Sequence, residues 1–243
     1  MNENDTFDYV EHSVNSWREW IAKAENAIDS IEVKEIKLLV YFSIMEMMAQ
    51  EYSNFPTKNL QASFTQFVLR FQDKYDYLDL TDPVTLYYRE EKLVSSDITL
   101  AGLKDGNIYY PESAAIREMA SAIRQVIATK KDEEYANRKM CDHRYIDLLY
   151  RMRCRLSHEF AAPNMSHKEN TEHPYYINCV REYLSKGNII NDDVWQLRFP
   201  VSFIKNLCLN CFENYLNHCL ETNTSPNKNN GMDRFCELSW YSR

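Results

Sequence analysis

The chain has 243 residues, enough for one domain with a sizeable core, and its 44% hydrophobic content excludes a wholly disordered protein. Its net charge of -8 argues against a general nucleic-acid coat, because binding to phosphates depends on Lys and Arg. With only 4 Gly and 7 Pro, the chain has few positions for tight turns, and the composition favours helices.

The N-terminal stretch MNENDTFDYV has no basic segment followed by an apolar one, and no apolar run reaches the ~18 residues of a membrane span. The 7 cysteines are odd in number and scattered, which is not the pattern of a disulfide framework. We therefore expect a soluble cytoplasmic protein with reduced thiols and no membrane association.

Apolar residues at spacings of three and four predict two N-terminal helices at about 7–31 and 34–52, the second apolar on most sides and therefore central. A third helix is predicted in LQASFTQFVLRFQDKY. Over 80–110 the pattern weakens, Asp82-Pro83 and Asp105-Gly106 are turn signals, and TLYYRE has strand character. We interpret 80–110 as an irregular insertion.

Helical spacing returns in PESAAIREMASAIRQVIATKK, where Pro111 is expected to open the helix, and again from Tyr145 to Phe160. After Pro163, the runs YYINCVREYL and VWQLRF predict a β-hairpin insertion within 163–199. A last helix is predicted at about 201–220. The fold class is thus all-α dominated: a helical domain over 1–222 with two insertions, and a flexible tail over 223–243.

The stretch RMRCRLSHEF, from Arg151 to Phe160, concentrates positive charge in an acidic chain. From Arg117 to Arg155 there are ten Lys and Arg against six Asp and Glu. At about 100° per residue, Arg151 lies about 20° and Arg155 about 60° from His158 on the side opposite Leu149 and Leu156. Arg153 lies about 140° from His158, on the flank of the apolar stripe.

An imidazole exchanges protons near neutral pH, and arginines hold phosphates and stabilise charge that develops on them. These residue types suit phosphodiester chemistry. The structural alternative is that the arginines form a solvated face and that His158 interacts with the helix end.

The order Arg153-Cys154-Arg155-Leu156-Ser157-His158 resembles the R-x4-H form of the R-x(4–6)-H motif of HEPN domains, and Arg151 to His158 fits the six-residue spacing. The resemblance implies a HEPN-like helical bundle that dimerises, with Arg153 and His158 catalytic and Arg151 and Arg155 binding substrate. Cys154 and Glu159 are associated with the motif, and Cys154 stands where the family often has a polar residue. The resemblance therefore leaves open whether the chain cleaves RNA or only binds it.

Two functions follow as expectations. The first is a metal-independent endoribonuclease of a prokaryotic toxin or defence system, which needs no cofactor and cleaves RNA at a site shared across a homodimer. The second is a noncatalytic HEPN-like module that binds RNA or a protein partner such as an antitoxin. The motifs for P-loop nucleotide hydrolysis, Rossmann cofactor binding and α/β-hydrolase chemistry do not occur in the sequence.

Several Cys and His residues resemble parts of a metal site. Cys208, Cys211 and Cys219 share the apolar stripe of the last helix with His218 nearby, and we interpret these cysteines as core residues. His143 beside Cys141 has no second ligand pair. His167 and His173 are interpreted as solvated loop residues.

Overall fold

The computed structural model of the chain describes residues 3–53, 59–100, 103–104, 106–162, 165–166, 171–185 and 188–226, with the backbone alone for 3–8, 181–185 and 188–192. Within these ranges helices dominate, accompanied by one small three-stranded sheet. His167, and the predicted tail from 227 onward, lie outside the described residues.

The elements follow one another as α1 (Glu3–Asp29), α2 (Lys34–Tyr52), α3 (Leu60–Phe71), a 3-10 turn (Asp76–Asp79), α4 (Pro83–Arg89), α5 (Glu91–Val94), α6 (Ala114–Lys130), α7 (Glu133–Asp142), α8 (Tyr145–Glu159), β1 (Met165–Ser166), β2 (Tyr175–Ser185), β3 (Asn188–Pro200) and α9 (Val201–Glu221). They form two compact units. The first unit is Met1–Lys74, Leu156–Ala161 and Ile204–Arg243; the second is Tyr75–Arg155 and Ala162–Phe203.

The first unit packs α1, α2, α3 and α9 around an aromatic core. The apolar stripe predicted for α1 is confirmed, because Val10, Val14, Trp17, Ile21 and Ile28 are buried. Side chains of α2, α3 and α9 complete the core, including Phe42, Phe64, Phe67, Phe212 and Tyr215. Burying rings of this size against one another is the main source of stability for such a helical core.

Polar contacts fix α9 against its neighbours in the first unit. Arg18 of α1 donates through Nε to Glu213 at 3.1 Å and through Nη2 to Asn217 at 2.8 Å. The Lys205 ammonium lies 2.7 Å from Asp29 and 2.8 Å from Glu25. These ion pairs are partly exposed, so they specify the register of α9 on α1 more than they add stability.

The second unit contains α4 to α7, the first part of α8, and the sheet. Strand order is β1-β3-β2, with β1 parallel and β2 antiparallel to β3. The predicted hairpin is confirmed, and it is longer than the two predicted runs: Tyr175 pairs with Arg198 at one end and Ser185 with Asn188 at the other. Ser185 and residues 188–193, which were expected to connect the strands, therefore belong to the ladder.

The structure corrects three expectations within the second unit. TLYYRE was expected to have strand character, but Thr85–Arg89 belong to α4, which Asp82 caps and Pro83 opens. The irregular insertion over 80–110 thus contains α4 and α5. Pro111 does not open α6, which begins at Ala114 after the N-cap Ser113, and α7 was not predicted.

Candidate functional site

The first turn of α8 is held by a cluster of charged and hydroxyl groups in the second unit. Arg144, immediately before the helix, donates to Asp147 at 2.9 Å and to Asp79 at 2.8 Å. The Tyr145 hydroxyl lies 2.5 Å from that of Tyr176. Carboxylates near a helix start also suit the helix dipole, so Asp147 stabilises this end in two ways.

Tyr176 connects this cluster to a buried carboxylate. Its hydroxyl donates to Oδ1 of Asp82, a residue that is 0% exposed. At the start of α4, the Val84 amide donates to the same oxygen and the Thr85 amide donates to Oδ2. Burial raises the pKa of the Asp82 carboxyl and holds the pKa of the Tyr145 hydroxyl well above its usual range. The network joins the starts of α4 and α8 through β2.

The facing predicted for α8 is confirmed. Leu149, Met152 and Leu156 are 0%, 3% and 1% exposed, whereas Arg151 and His158 on the opposite side are exposed, as is Arg155. An uninterrupted helix from Tyr145 to Glu159 places Arg151 about 20° from His158 around the axis. This surface of α8, carrying Arg151, Arg155 and His158, is called the cationic face below.

Arg151 and Arg153 have different surroundings. Arg151 Nη2 donates to the Asp142 carbonyl at 2.9 Å, which ties the cationic face to the end of α7. Arg153 is half-buried, and its guanidinium lies 6.0 Å from the centre of the Tyr150 ring. At about 140° from His158 around the axis, Arg153 does not belong to the cationic face.

The remaining motif residues lie around the end of α8. Cys154 is a half-buried free thiol, and Glu159, the last residue of the helix, is exposed. His158 lies in the last turn. Within one copy of the chain, the structure thus brings His158 together with Arg151 and Arg155 on one face, with Glu159 beside them.

Phe160 was expected to continue the apolar stripe of α8, and the structure contradicts this expectation. It follows the last residue of α8, its side chain is 56% exposed, and its φ is 50°. The left-handed region at a helix end is usually occupied by Gly or Asn. The sequence offers one signal of this helix end. Phe160 stands immediately before the Ala-Ala-Pro that ends the helical pattern, and no Gly is present there to take the left-handed position.

A groove of about 570 Å³ lies in the second unit, between α6, the 3-10 turn and the junction of α7 with α8. Arg144 and Tyr145 reach its wall, but no residue from Arg151 to Glu159 does. The residues that line it include Asp76, Tyr77, Leu80, Arg117 and Met140. The cationic face therefore lies on an open helix surface outside this groove.

The cysteines interpreted as core residues are buried, as predicted: Cys208, Cys211 and Cys219 are all at most 2% exposed. Burial raises the pKa of the Cys208 and Cys211 thiols. Across the described residues, no three His, Cys, Asp or Glu side chains come close enough together to hold a metal ion.

Two histidines outside the motif, His143 and His173, lie near polar groups of the second unit. His143 is buried, with Nδ1 2.9 Å from the Lys139 carbonyl. His173 is half-buried, and its Nδ1 lies 3.8 Å from a Glu112 oxygen. The His143 contact lies at the end of α7.

None of the helices in the described part of the chain has both the length and the apolar character needed to cross a membrane. Comparison of the sequence and structure with protein-family models, with curated proteins and with solved structures finds no match.

Proposed function

We propose that this protein is a cytoplasmic, HEPN-like endoribonuclease of a prokaryotic toxin or defence system, acting without a metal ion. The observation that carries the proposal is the cationic face: an exposed imidazole at His158 with two exposed guanidinium groups, Arg151 and Arg155, on the same side of one helix. Guanidinium groups bind phosphate oxygens in pairs, and imidazole transfers protons near neutral pH.

In the proposed reaction, the RNA 2′-oxygen forms a bond to the adjacent phosphorus, and the bond from phosphorus to the 5′-oxygen breaks. His158 accepts the proton of the 2′-hydroxyl, and His158 of a second copy of the chain gives a proton to the departing 5′-oxygen. Arg151 and Arg155 neutralise the charge that builds up on the phosphorane-like transition state. The products end in a 2′,3′-cyclic phosphate and a 5′-hydroxyl.

Arg153, the arginine of the R-x4-H spacing, is proposed as a further catalytic group. Because it lies about 140° from the His158 direction on its own helix, its contribution requires a phosphate that bridges two copies of α8. A homodimer with its two α8 helices facing each other provides that arrangement. Two cationic faces repel unless an anion lies between them, so RNA or Glu159 would stabilise this dimer.

The test is cleavage of labelled single-stranded RNA in EDTA by the wild-type chain, beside His158→Ala and Ser157→Ala. His158→Ala removes proton transfer and should slow cleavage by ~10²–10⁴-fold. Ser157→Ala changes an exposed neighbour on the same helix and should leave the rate unchanged. DNA of the same sequence should resist, since it has no 2′-hydroxyl. Equal cleavage by all three proteins would assign the activity to another site or a contaminant.

The second candidate is a noncatalytic module that binds RNA or a protein partner such as an antitoxin. Cys154 favours it, because a half-buried thiol stands beside Arg153 where the family often has a polar residue. In that case wild type and His158→Ala bind RNA alike and neither cleaves it. Light scattering with and without RNA adds a separate measurement: a mass that remains monomeric in both would remove the shared-site mechanism.

A further inference from the structure

The groove between α6, the 3-10 turn and the junction of α7 with α8 lies wholly within the second unit. Its volume of about 570 Å³ is in the range of roughly 300–1,000 Å³ that is typical of small-molecule sites. Two hydrogen bonds between lining residues hold its wall in place. The Tyr145 amide donates to the Leu80 carbonyl at 3.0 Å, and the Thr81 hydroxyl donates to the Met140 carbonyl at 2.9 Å. The shape of the groove is therefore fixed by contacts within the chain.

Apolar side chains make up most of the groove wall. Ile116 and Ala120, one turn apart on α6, line it together with Leu80 and Met140 from other elements. Leu80 is 44% exposed although it lies in the wall of a groove. A ligand group that covers Leu80 removes this apolar surface from water. The groove thus favours a ligand with a sizeable apolar part.

Four of the described residues that line the groove carry a charge, and two of these neutralise each other. The Arg144 guanidinium lies 2.8 Å from the Asp79 carboxylate. Asp76 in the 3-10 turn and Arg117 on α6 are exposed, and neither forms an ion pair with another residue in the part of the chain that the structure describes. A ligand with one charge of each sign complements both groups, whereas a ligand with a net charge is attracted by one and repelled by the other.

We propose that this groove is a binding site for a free amino acid with a large apolar side chain. The ligand carboxylate contacts Arg117, the ligand ammonium group contacts Asp76, and the ligand side chain covers Leu80. This site goes beyond the proposed ribonuclease and does not depend on it, because no residue from Arg151 to Glu159 lines the groove.

The experiment measures affinities by isothermal titration calorimetry with L-phenylalanine and with three compounds that each lack one part of it. L-Phenylalaninol lacks the carboxylate, phenylpropanoate lacks the ammonium group, and glycine has both charges but no side chain. L-Phenylalanine should bind more tightly than all three. Glycine should bind about 10- to 100-fold more weakly than L-phenylalanine, because it has no apolar side chain to bury.

Two exposed residues provide variants that test each charge of the ligand separately. Arg117→Gln should weaken binding of L-phenylalanine by about 3- to 10-fold, a loss between that of an exposed ion pair and that of a charged hydrogen bond. It should not weaken binding of L-phenylalaninol, which has no carboxylate. Asp76→Asn should weaken binding of L-phenylalanine to a similar extent and should not weaken binding of phenylpropanoate.

A bulky side chain in the groove tests the location of the site. Ala120→Trp should abolish binding of L-phenylalanine because the indole fills the groove. Ala122→Trp is the matched control, since Ala122 is exposed on the same helix and does not line the groove, and it should leave the affinity unchanged. If Ala120→Trp does not fold, as judged by circular dichroism, the two charge variants decide the question.

Three results would overturn the proposal: no binding of L-phenylalanine at millimolar concentration, equal affinity for phenylpropanoate or L-phenylalaninol, or an unchanged affinity in folded Ala120→Trp. RNA cleavage does not enter these measurements. A chain that binds L-phenylalanine in this pattern and cleaves no RNA would refute the ribonuclease and support the amino-acid site.

Discussion

Arg151 and His158 point to the same side of α8, seven residues apart, and both side chains are exposed. Arg153, the residue that the R-x4-H spacing pairs with His158, instead rests beside the Tyr150 ring. The two arginines therefore have different expected effects on RNA binding by a single copy of the chain.

Arg151→Ala should weaken binding to single-stranded RNA and should reduce the slope of log affinity against log salt by about 0.7, the value for one lost phosphate contact. Arg153→Ala should change that slope less when the protein is monomeric, because Arg153 is off the cationic face. Arg89→Ala is the control, an exposed arginine on α4. Titrations at several salt concentrations measure the slope, and an equal slope for Arg151→Ala and Arg89→Ala would exclude Arg151 from the interface.

Leu156 tests the buried side of the same helix. It is 1% exposed, and Leu156→Ala should lower the free energy of unfolding by ~2–5 kcal/mol through lost burial and a residual cavity. The adjacent Ser157 is exposed, so Ser157→Ala should change stability by less than about 0.5 kcal/mol. Urea denaturation of the two variants measures both values. A small loss for Leu156→Ala would contradict the assigned facing of α8.

Periodicity predicted those parts of the fold that depend on local pattern. The facing of α8 followed from Leu149, Met152 and Leu156 alone, because one stripe determines which side of a helix is buried. The second predicted helix agrees with α2, and the last with α9 to within a residue, for the same reason.

Contacts between residues far apart in the sequence determine the parts of the fold that the sequence pattern did not predict. TLYYRE has β-branched and aromatic residues, yet it forms α4 because Asp82 caps that helix and Tyr176, 94 residues away, holds the Asp82 carboxylate. The surroundings of the site residues likewise could not be predicted from the sequence pattern. The spacing rule selected Arg153, while its position beside Tyr150 depends on side-chain placement that spacing does not specify.

The Asp82 carboxyl should make stability depend on pH. Burial raises its pKa in the folded chain, so folding favours the protonated form. The resulting contribution to stability is fully present below about pH 3.9, the pKa of an Asp carboxyl in the unfolded chain. It is lost as the pH rises through the raised pKa of the folded chain. Asp82→Asn does not titrate and should lack this decline, while the exposed Asp76→Asn should retain it. The melting temperature, measured from below the unfolded pKa upward in pH, shows this difference between the variants. If the melting temperatures of wild type and Asp82→Asn change with pH in parallel, the prediction is wrong.

Phe160→Gly should stabilise the folded chain, because the residue at this position has a φ of 50°. Glycine adopts positive φ without the crowding of a Cβ, although it also gains conformational freedom in the unfolded chain. The free energy of unfolding should therefore rise by about 0.5–1 kcal/mol. Thermal unfolding of the variant beside wild type measures this gain. A variant that becomes less stable would contradict this prediction and would show that the Phe160 ring supports the end of α8.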